Sequence, residues 1–388
     1  MKWSVPLFRV FGIQVQLHGT FLLLLGFIAL GLFIMPDTAF ALFLMLQFLS
    51  IFTIILLHEL SHSLVAMRFG SKVRNITLLP IGGVAQIENI PEKPLHEILV
   101  AFAGPAVNFA FVLVVGLYLG DFNIFMTKAS EIFSASVREQ IPKVNFTEFL
   151  VFFGTFNLFI GTFNLLPGFP MDGGRIFRGF LSLFMPFDKA TIVAVGIGQL
   201  FSLAFGVLGI LLIFQYDMFY MGLMIIIIAF FLGSSGRAEA RSVIIRSLLK
   251  GVTLEPRMLR KPIVITSEMK NEQISVLINT TYQNIFPVLE NGYLIGLLNR
   301  QDFYNNMQIF GNNFKLPVLP AKWVAPGVDF IALLTELEKQ KSSFVTVTDW
   351  YGRYLGVFNT SASTTVMNEQ IEKRKNLSII ERKYLYSK

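Results

Sequence analysis

Cysteine is absent from the 388 residues, so disulfides and thiolate-held metals are both excluded, and any metal must rest on His, Asp or Glu. Its absence identifies no compartment. Charge is scarce as well: charged residues are 15% of the chain, against roughly 25% in an average soluble domain. Hydrophobic residues reach 54%, and Phe alone fills 41 positions. An ordinary soluble globule is therefore excluded. Only four histidines occur, and two of them stand four residues apart.

The charge is unevenly placed. Residues 1–234 hold 12 basic and 12 acidic side chains, whereas residues 235–388 hold 20 and 13 and so carry the whole net charge of +7. The chain reads as an apolar domain over 1–240 followed by a basic soluble domain over 250–388. No motif that reads a nucleic-acid groove accompanies the basic excess, so nucleic acid is not an expected partner. Solvation or an anionic leaflet accounts for it. The basic groups Lys373 to Lys375 and Arg382-Lys383 read as a solvated face.

Six stretches approach the ~20 apolar residues that cross ~30 Å of hydrocarbon: 17–35, 39–68, 95–119, 147–167, 191–214 and 217–234. The expected fold is a polytopic α-helical membrane domain plus a C-terminal α/β domain. The first stretch lacks a small-residue cleavage site and is read as a span rather than a removed signal. Lys2, Arg9, Arg68, Lys72, Arg74, Lys93, Arg175, Arg178, Lys189 and the cluster Arg237, Arg241, Arg246 and Lys250 fall in one set of loops. The other set holds only Lys128, Arg138 and Lys143. The positive-inside rule then puts both termini and the soluble tail in the cytoplasm, with a cell inner membrane as the expected location.

No charged residue lies between Asp37 and Glu59, and the stretch ends in His58-Glu59-Leu60-Ser61-His62. Positions i and i+4 share a helix face, so both imidazoles reach one ion, and the Glu beside the first can act as general base on a water. Ionisable groups are costly in hydrocarbon and are usually functional there. His58 precedes Arg68 by ten residues, or about 15 Å of helix, which sets the pair inside the bilayer on the cytoplasmic half.

Two imidazoles leave a catalytic zinc one protein ligand short. Asp172 is the best donor. It follows Asn164-Leu-Leu-Pro-Gly-Phe-Pro-Met, and two Pro and three Gly within residues 167–174 break any helix. Broken backbone at membrane depth is tolerated where it is buried in protein or lines a wet cavity. The alternative is a solvated Asp in a cytoplasmic loop. His18 reads as interfacial rather than a ligand, His96 as a solvated helix start or a group behind the ligands, and Glu97 as facing water.

Further motifs follow in order: Phe11 to His18, Ile76-Thr-Leu-Leu-Pro-Ile-Gly-Gly-Val-Ala85, Ala101-Phe-Ala-Gly-Pro-Ala-Val-Asn108, and Asn164 to Arg175. With His58 to His62, they make the chain closely resemble the site-2 protease family of intramembrane zinc metalloproteases, peptidase family M50, in the subgroup with C-terminal CBS domains. The resemblance implies zinc on His58, His62 and Asp172, Glu59 as base, and a role for Asn108 near the site. Asn108 is read as a hydrogen-bond donor to the peptide or the developing oxyanion. Expected substrates are single-span membrane proteins such as anti-sigma factors, or signal-peptide remnants. Residues 73–87 read as a hairpin or re-entrant loop whose edge could receive an unwound substrate by strand addition, or which simply packs on the second span. Two other classes compete: a CBS-regulated transporter and an inactive membrane scaffold. The intact Glu59 speaks against the transporter, and the presence of every catalytic position speaks against the scaffold.

Beyond residue 250 a repeat appears. Gly292-Tyr-Leu-Ile-Gly296-Leu-Leu-Asn299 aligns with Gly352-Arg-Tyr-Leu-Gly356-Val-Phe-Asn359, with helices expected at 272–280 and 329–340. Units this small bury too little core alone and should pack as a pair. The tail resembles a divergent tandem CBS module, which implies an adenine nucleotide near Asp302. Asn299 stands where Thr or Ser is usual, and the second copy has Ala362 in place of Asp302. Those departures favour a structural or homodimerising role over nucleotide sensing.

Overall fold

The computed structural model describes residues 3–35, 37–80, 82–88, 93–133, 145–339, 342–360 and 362–373. Arg138, Lys143 and the C-terminal basic groups from Arg374 onward lie outside the described residues. The chain divides into two compact units, Met1–Arg241 and Ser242–Lys388.

The first unit opens with two strands, β1 (Ser4–Val10) and β2 (Ile13–His18), joined at Phe11 and Gly12, both at positive φ. Such two-residue turns match the twist of the strands they join. Next come α1 (Gly19–Phe33) and α2 (Thr38–Arg68), then strands β3 (Lys72–Leu79) and β4 (Gly82–Glu88). Helices α3 (Pro94–Leu119), α4 (Asn123–Phe133), α5 (Phe146–Asn164), α6 (Asp172–Leu181), α7 (Phe187–Phe214) and α8 (Phe219–Leu249) follow. Helices α2, α3, α5, α7 and α8 are long and apolar enough to cross a membrane.

Local chemistry sets the ends of these helices. The Asp37 carboxylate accepts the Phe40 N–H at 3.0 Å at the start of α2, and the Asn145 side chain accepts the Glu148 N–H at 2.8 Å at the start of α5. Gly120, at φ +72°, ends α3.

The first expected span is shorter than the sequence suggests. Helix α1 has 15 residues, about 22 Å at 1.5 Å per residue, because β2 runs to His18 and the His18 ring caps the helix by accepting from Thr20 N–H. Its topology is nonetheless fixed by pairing. Strands β1 to β4 form one sheet in the order β1-β2-β3-β4, with β2 and β3 parallel. The start of α1 and the end of α2 therefore meet at the same sheet. Alternation along β2 turns Ile13, Val15 and Leu17 inward, and Leu17 and Leu78 pack with Phe21 and Phe52 beneath them.

The second unit holds two copies of one motif. The first runs β5 (Ile265–Thr266), α9 (Asn271–Asn279), β6 (Ile285–Glu290), β7 (Tyr293–Asn299) and α10 (Arg300–Phe310). After β8 (Val318–Leu319), the second runs β9 (Trp323–Val324), α11 (Phe330–Lys339), β10 (Phe344–Thr348), β11 (Tyr354–Asn359) and α12 (Ala362–Lys373). Each copy has its own core, around Phe286, Phe303 and Ile278 in one and Phe330, Phe358 and Val347 in the other.

The copies are also linked. Strand β8, which leads into the second copy, pairs with β7 of the first. Arg260, which leads into the first copy, bonds Val357 in β11 of the second in both directions, at 2.8 and 2.9 Å. The two hairpin turns join in the same reciprocal way: Leu294 N–H donates to Gly352 C=O and Tyr354 N–H to Gly292 C=O, positions sixty apart. The first sheet thus takes its fourth strand from the link to the second copy, and an isolated bridge at Arg260 and the paired hairpin turns tie the copies together.

Candidate metal centre

The last third of α2 carries His58, Glu59 and His62, and both histidines are buried. The chain leaves α5 at Asn164, bends through Pro167 and Pro170, and restarts as α6 at Asp172. Gly173 and Gly174 permit the bend. A Cβ on Gly173 would lie 2.3 Å from the Leu165 and Leu166 carbonyl oxygens, and one on Gly174 would lie 2.5 Å from the Gly168 carbonyl carbon. The close-packed turn delivers the carboxylate to the imidazoles. His58 Nε2 is 3.0 Å and His62 Nε2 3.1 Å from Asp172 Oδ2, and the two Nε2 atoms are 3.1 Å apart.

The donor set itself shows what would fit there. His62 Nδ1 lies 2.6 Å from the Val100 carbonyl, which can only accept, so Nδ1 holds a proton and a neutral ring leaves Nε2 bare. His58 Nδ1 lies 2.5 Å from Asn108 Oδ1 and is placed likewise. Two imidazole lone pairs and a carboxylate oxygen thus converge within about 3 Å, an arrangement a cation relieves. Ligands about 2.0–2.1 Å from one tetrahedral zinc stand about 3.3 Å apart, close to the spacing observed. Among the described residues this is the one cluster of three such donors.

The backbone crowds the same place. Gly104 in α3 faces both rings, and Pro105, which lacks an N–H, follows it within the helix. Gly83 in β4 lies against Glu59, so the edge strand of the sheet borders the general-base candidate.

Several site residues differ from their sequence reading. Asn108 is 1% exposed and both ends of its amide are engaged: Oδ1 with His58, and Nδ2 donating to Asn157 Oδ1 at 2.9 Å. Its amide is thus committed to His58 and Asn157 rather than free to donate to a peptide or an oxyanion, as the sequence reading has it. Glu97, expected to face water, is 4% exposed and accepts from Arg178 Nε at 2.8 Å and from Arg178 Nη2. Arg178, counted among the loop cations, is buried too. Its Nη1 donates to Glu239 at 2.9 Å, and its guanidinium lies between the Phe169 and Phe187 rings, 4.6 and 4.5 Å from their centroids. The pairing explains the burial, since the first turn of α3, α6 and α8 meet there. His96 stacks on Phe69 at 4.1 Å, and His18 caps α1. Asp302 sits half-buried in the first turn of α10, where Asn299 Oδ1 is committed to capping by accepting from Gln301 N–H at 2.9 Å.

Sequence reasoning missed Asn157, Gly104 and Gly83. An amide in the middle of an apolar span was the available signal for Asn157. The glycines carry no comparable mark beyond their motifs.

Comparison with known proteins gives the family. Residues 46–205 match Peptidase family M50. A zinc metalloprotease of Methanocaldococcus jannaschii is 30% identical over 346 residues, covering 89% of this chain and 91% of its own. The solved site-2 protease from the same organism is 33% identical, with 62% of this chain and 96% of that chain covered and a TM-score of 0.39. A solved CBS domain protein from Shewanella oneidensis MR-1 matches 29% of this chain and 94% of its own at 16% identity, with a TM-score of 0.26. The extent of the first of these likenesses, with five helices fit to span a bilayer, establishes a multi-pass integral membrane protein that belongs to peptidase family M50, the zinc metalloproteases.

Proposed function

We propose that the chain hydrolyses peptide bonds of single-span membrane proteins within the bilayer, with zinc held by His58, His62 and Asp172 and with Glu59 as general base. The convergence of three bare donor atoms beside Glu59 carries this reading. Bound zinc would supply the chemistry the side chains lack, lowering the pKa of water towards ~7 and polarising a carbonyl. Glu59 takes the proton of the attacking water and passes it to the leaving amine. His58 and His62, held by hydrogen bonds at Nδ1, keep their orientation through the cycle.

A helical substrate hides its carbonyls in its own hydrogen bonds and must be extended before attack. Strand β4 is the edge of its sheet and passes Glu59 at Gly83, so an unwound segment added to β4 would lie beside the base. Consecutive strand residues point their N–H groups to opposite edges. Proline at whichever of Val84 and Ala85 points its N–H outward removes a donor from the free edge while the ladder to β3 stays whole, and that variant should fold and lose cleavage.

Substrates of this class are membrane-anchored regulators such as anti-sigma factors, or signal-peptide remnants. The excess of Lys and Arg in one set of loops supports a cytoplasmic position for both termini and the C-terminal unit. The deciding experiment is cleavage of a single-span substrate by the purified, zinc-loaded chain. Glu59→Gln is expected to lower turnover by about 10²-fold or more, and a chelator to abolish it. Turnover unaffected by either would overturn the proposal.

A further inference from the structure

We propose that Asn157, in α5, is a positioning residue for the metal centre: through Asn108 it holds the His58 ring in the tautomer that leaves Nε2 bare. This rests on the zinc reading above. The polarity of the chain of bonds is set at its far end. The Phe153 carbonyl can only accept, so its 2.9 Å contact identifies Asn157 Nδ2 as donor. The other end of that amide is then Oδ1, which accepts from Asn108 Nδ2 at 2.9 Å. Asn108 thereby turns Oδ1 to His58 and accepts from Nδ1–H at 2.5 Å.

Reversing either amide would set oxygen against oxygen or N–H against N–H. Asn108 and Asn157 are 1% and 0% exposed, so water offers no relief. One backbone carbonyl on α5 thus orients, through two amides, a ring on α2. His62 needs no such relay, because the Val100 carbonyl fixes it directly. Asn157 touches neither the donor atoms nor the substrate edge, so its influence on the metal has to pass through Asn108.

The test is zinc affinity of the full chain in detergent, by competition with a chromophoric chelator, with the visible spectrum of the Co²⁺ form as second readout. Groups behind metal ligands typically contribute about 10–100-fold to affinity. Asn157→Leu is expected to lose that much and to shift the Co²⁺ bands, Asn108→Leu to do the same, and the double variant to lose no more than the weaker-binding single. Wild-type affinity in Asn157→Leu, or losses that multiply in the double variant, would overturn the relay. Should Asn157→Leu fail to fold, Asn157→Ala removes both ends of the amide without adding bulk and is expected to lose the same roughly 10–100-fold. Wild-type affinity in Asn157→Ala would overturn the relay. A wild-type chain that binds no zinc would sink the metal reading and the relay together, whereas equal affinities in all variants would remove the relay alone.

Discussion

Gly104 faces His62 so closely that a Cβ there would stand 2.3 Å from Nε2, and 2.6 Å from His58 Cε1. The rings reach Asp172 only because α3 presents bare backbone to them. Gly104→Ala is therefore expected to weaken zinc binding by at least about tenfold, through displacement of both rings. Gly196→Ala in α7, where a Cβ would meet nothing within 4 Å, is the control and should bind zinc normally. Chelator competition on both variants checks it.

Gly83 bears on the base rather than the ligands. A Cβ there would lie 2.5 Å from Glu59 Cγ. Gly83→Ala should push the carboxylate aside and lower kcat by about 10²-fold, the scale of general-base catalysis, while zinc stoichiometry stays unchanged. Turnover and metal content measured on one preparation separate the two effects.

Arg178 binds Glu97 and Glu239 from a buried position between two Phe rings. Arg178→Met leaves Glu97 buried without its partner and should destabilise the first unit by about 3–5 kcal/mol. Arg178→Lys should rescue little, since an ammonium can neither fork to two carboxylates nor stack as a planar group. Thermal unfolding in detergent reads this directly, and Arg178→Met combined with Glu97→Leu should regain much of the loss.

In the C-terminal unit, Gly296 faces β8 and Gly356 faces the bridge at Arg260. Added Cβ atoms would lie 2.5 Å from the Leu319 carbonyl oxygen and 2.9 Å from the Arg260 carbonyl oxygen respectively. Gly296→Val should cost about 1–3 kcal/mol by overpacking and, because the copies are tied to each other, loosen both together. Hydrogen exchange checks it: protection should fall in β10 and β11 as well as in β6 and β7.

The cluster of His58, His62 and Asp172 was legible because its chemistry is local. His58 and His62 share a helix turn, and the glycines and prolines around Asp172 announce a broken helix in an apolar setting. The long helices and the sixty-residue repeat were equally plain. What escaped depends on pairing across sequence. The alternation from Ile13 to Leu17 marks a strand, but nothing in it names β3 as the parallel partner. Glu97 looked solvated because its partner, Arg178, lies eighty-one residues away. Asn108 looked like a substrate contact because the amide that engages it, Asn157, lies in a different span, forty-nine residues away.

The proposed hydrolysis requires one zinc held by two imidazoles of α2 and the carboxylate that opens α6. Zinc X-ray absorption on the purified chain, with metal content measured beside it, tests that most directly. About one zinc per chain is expected, with two imidazole ligands and oxygen donors at about 2.0–2.1 Å, and Asp172→Ala should strip most of the metal. A wild-type chain without zinc, or an Asp172→Ala variant with unchanged stoichiometry and ligand shell, would contradict the account.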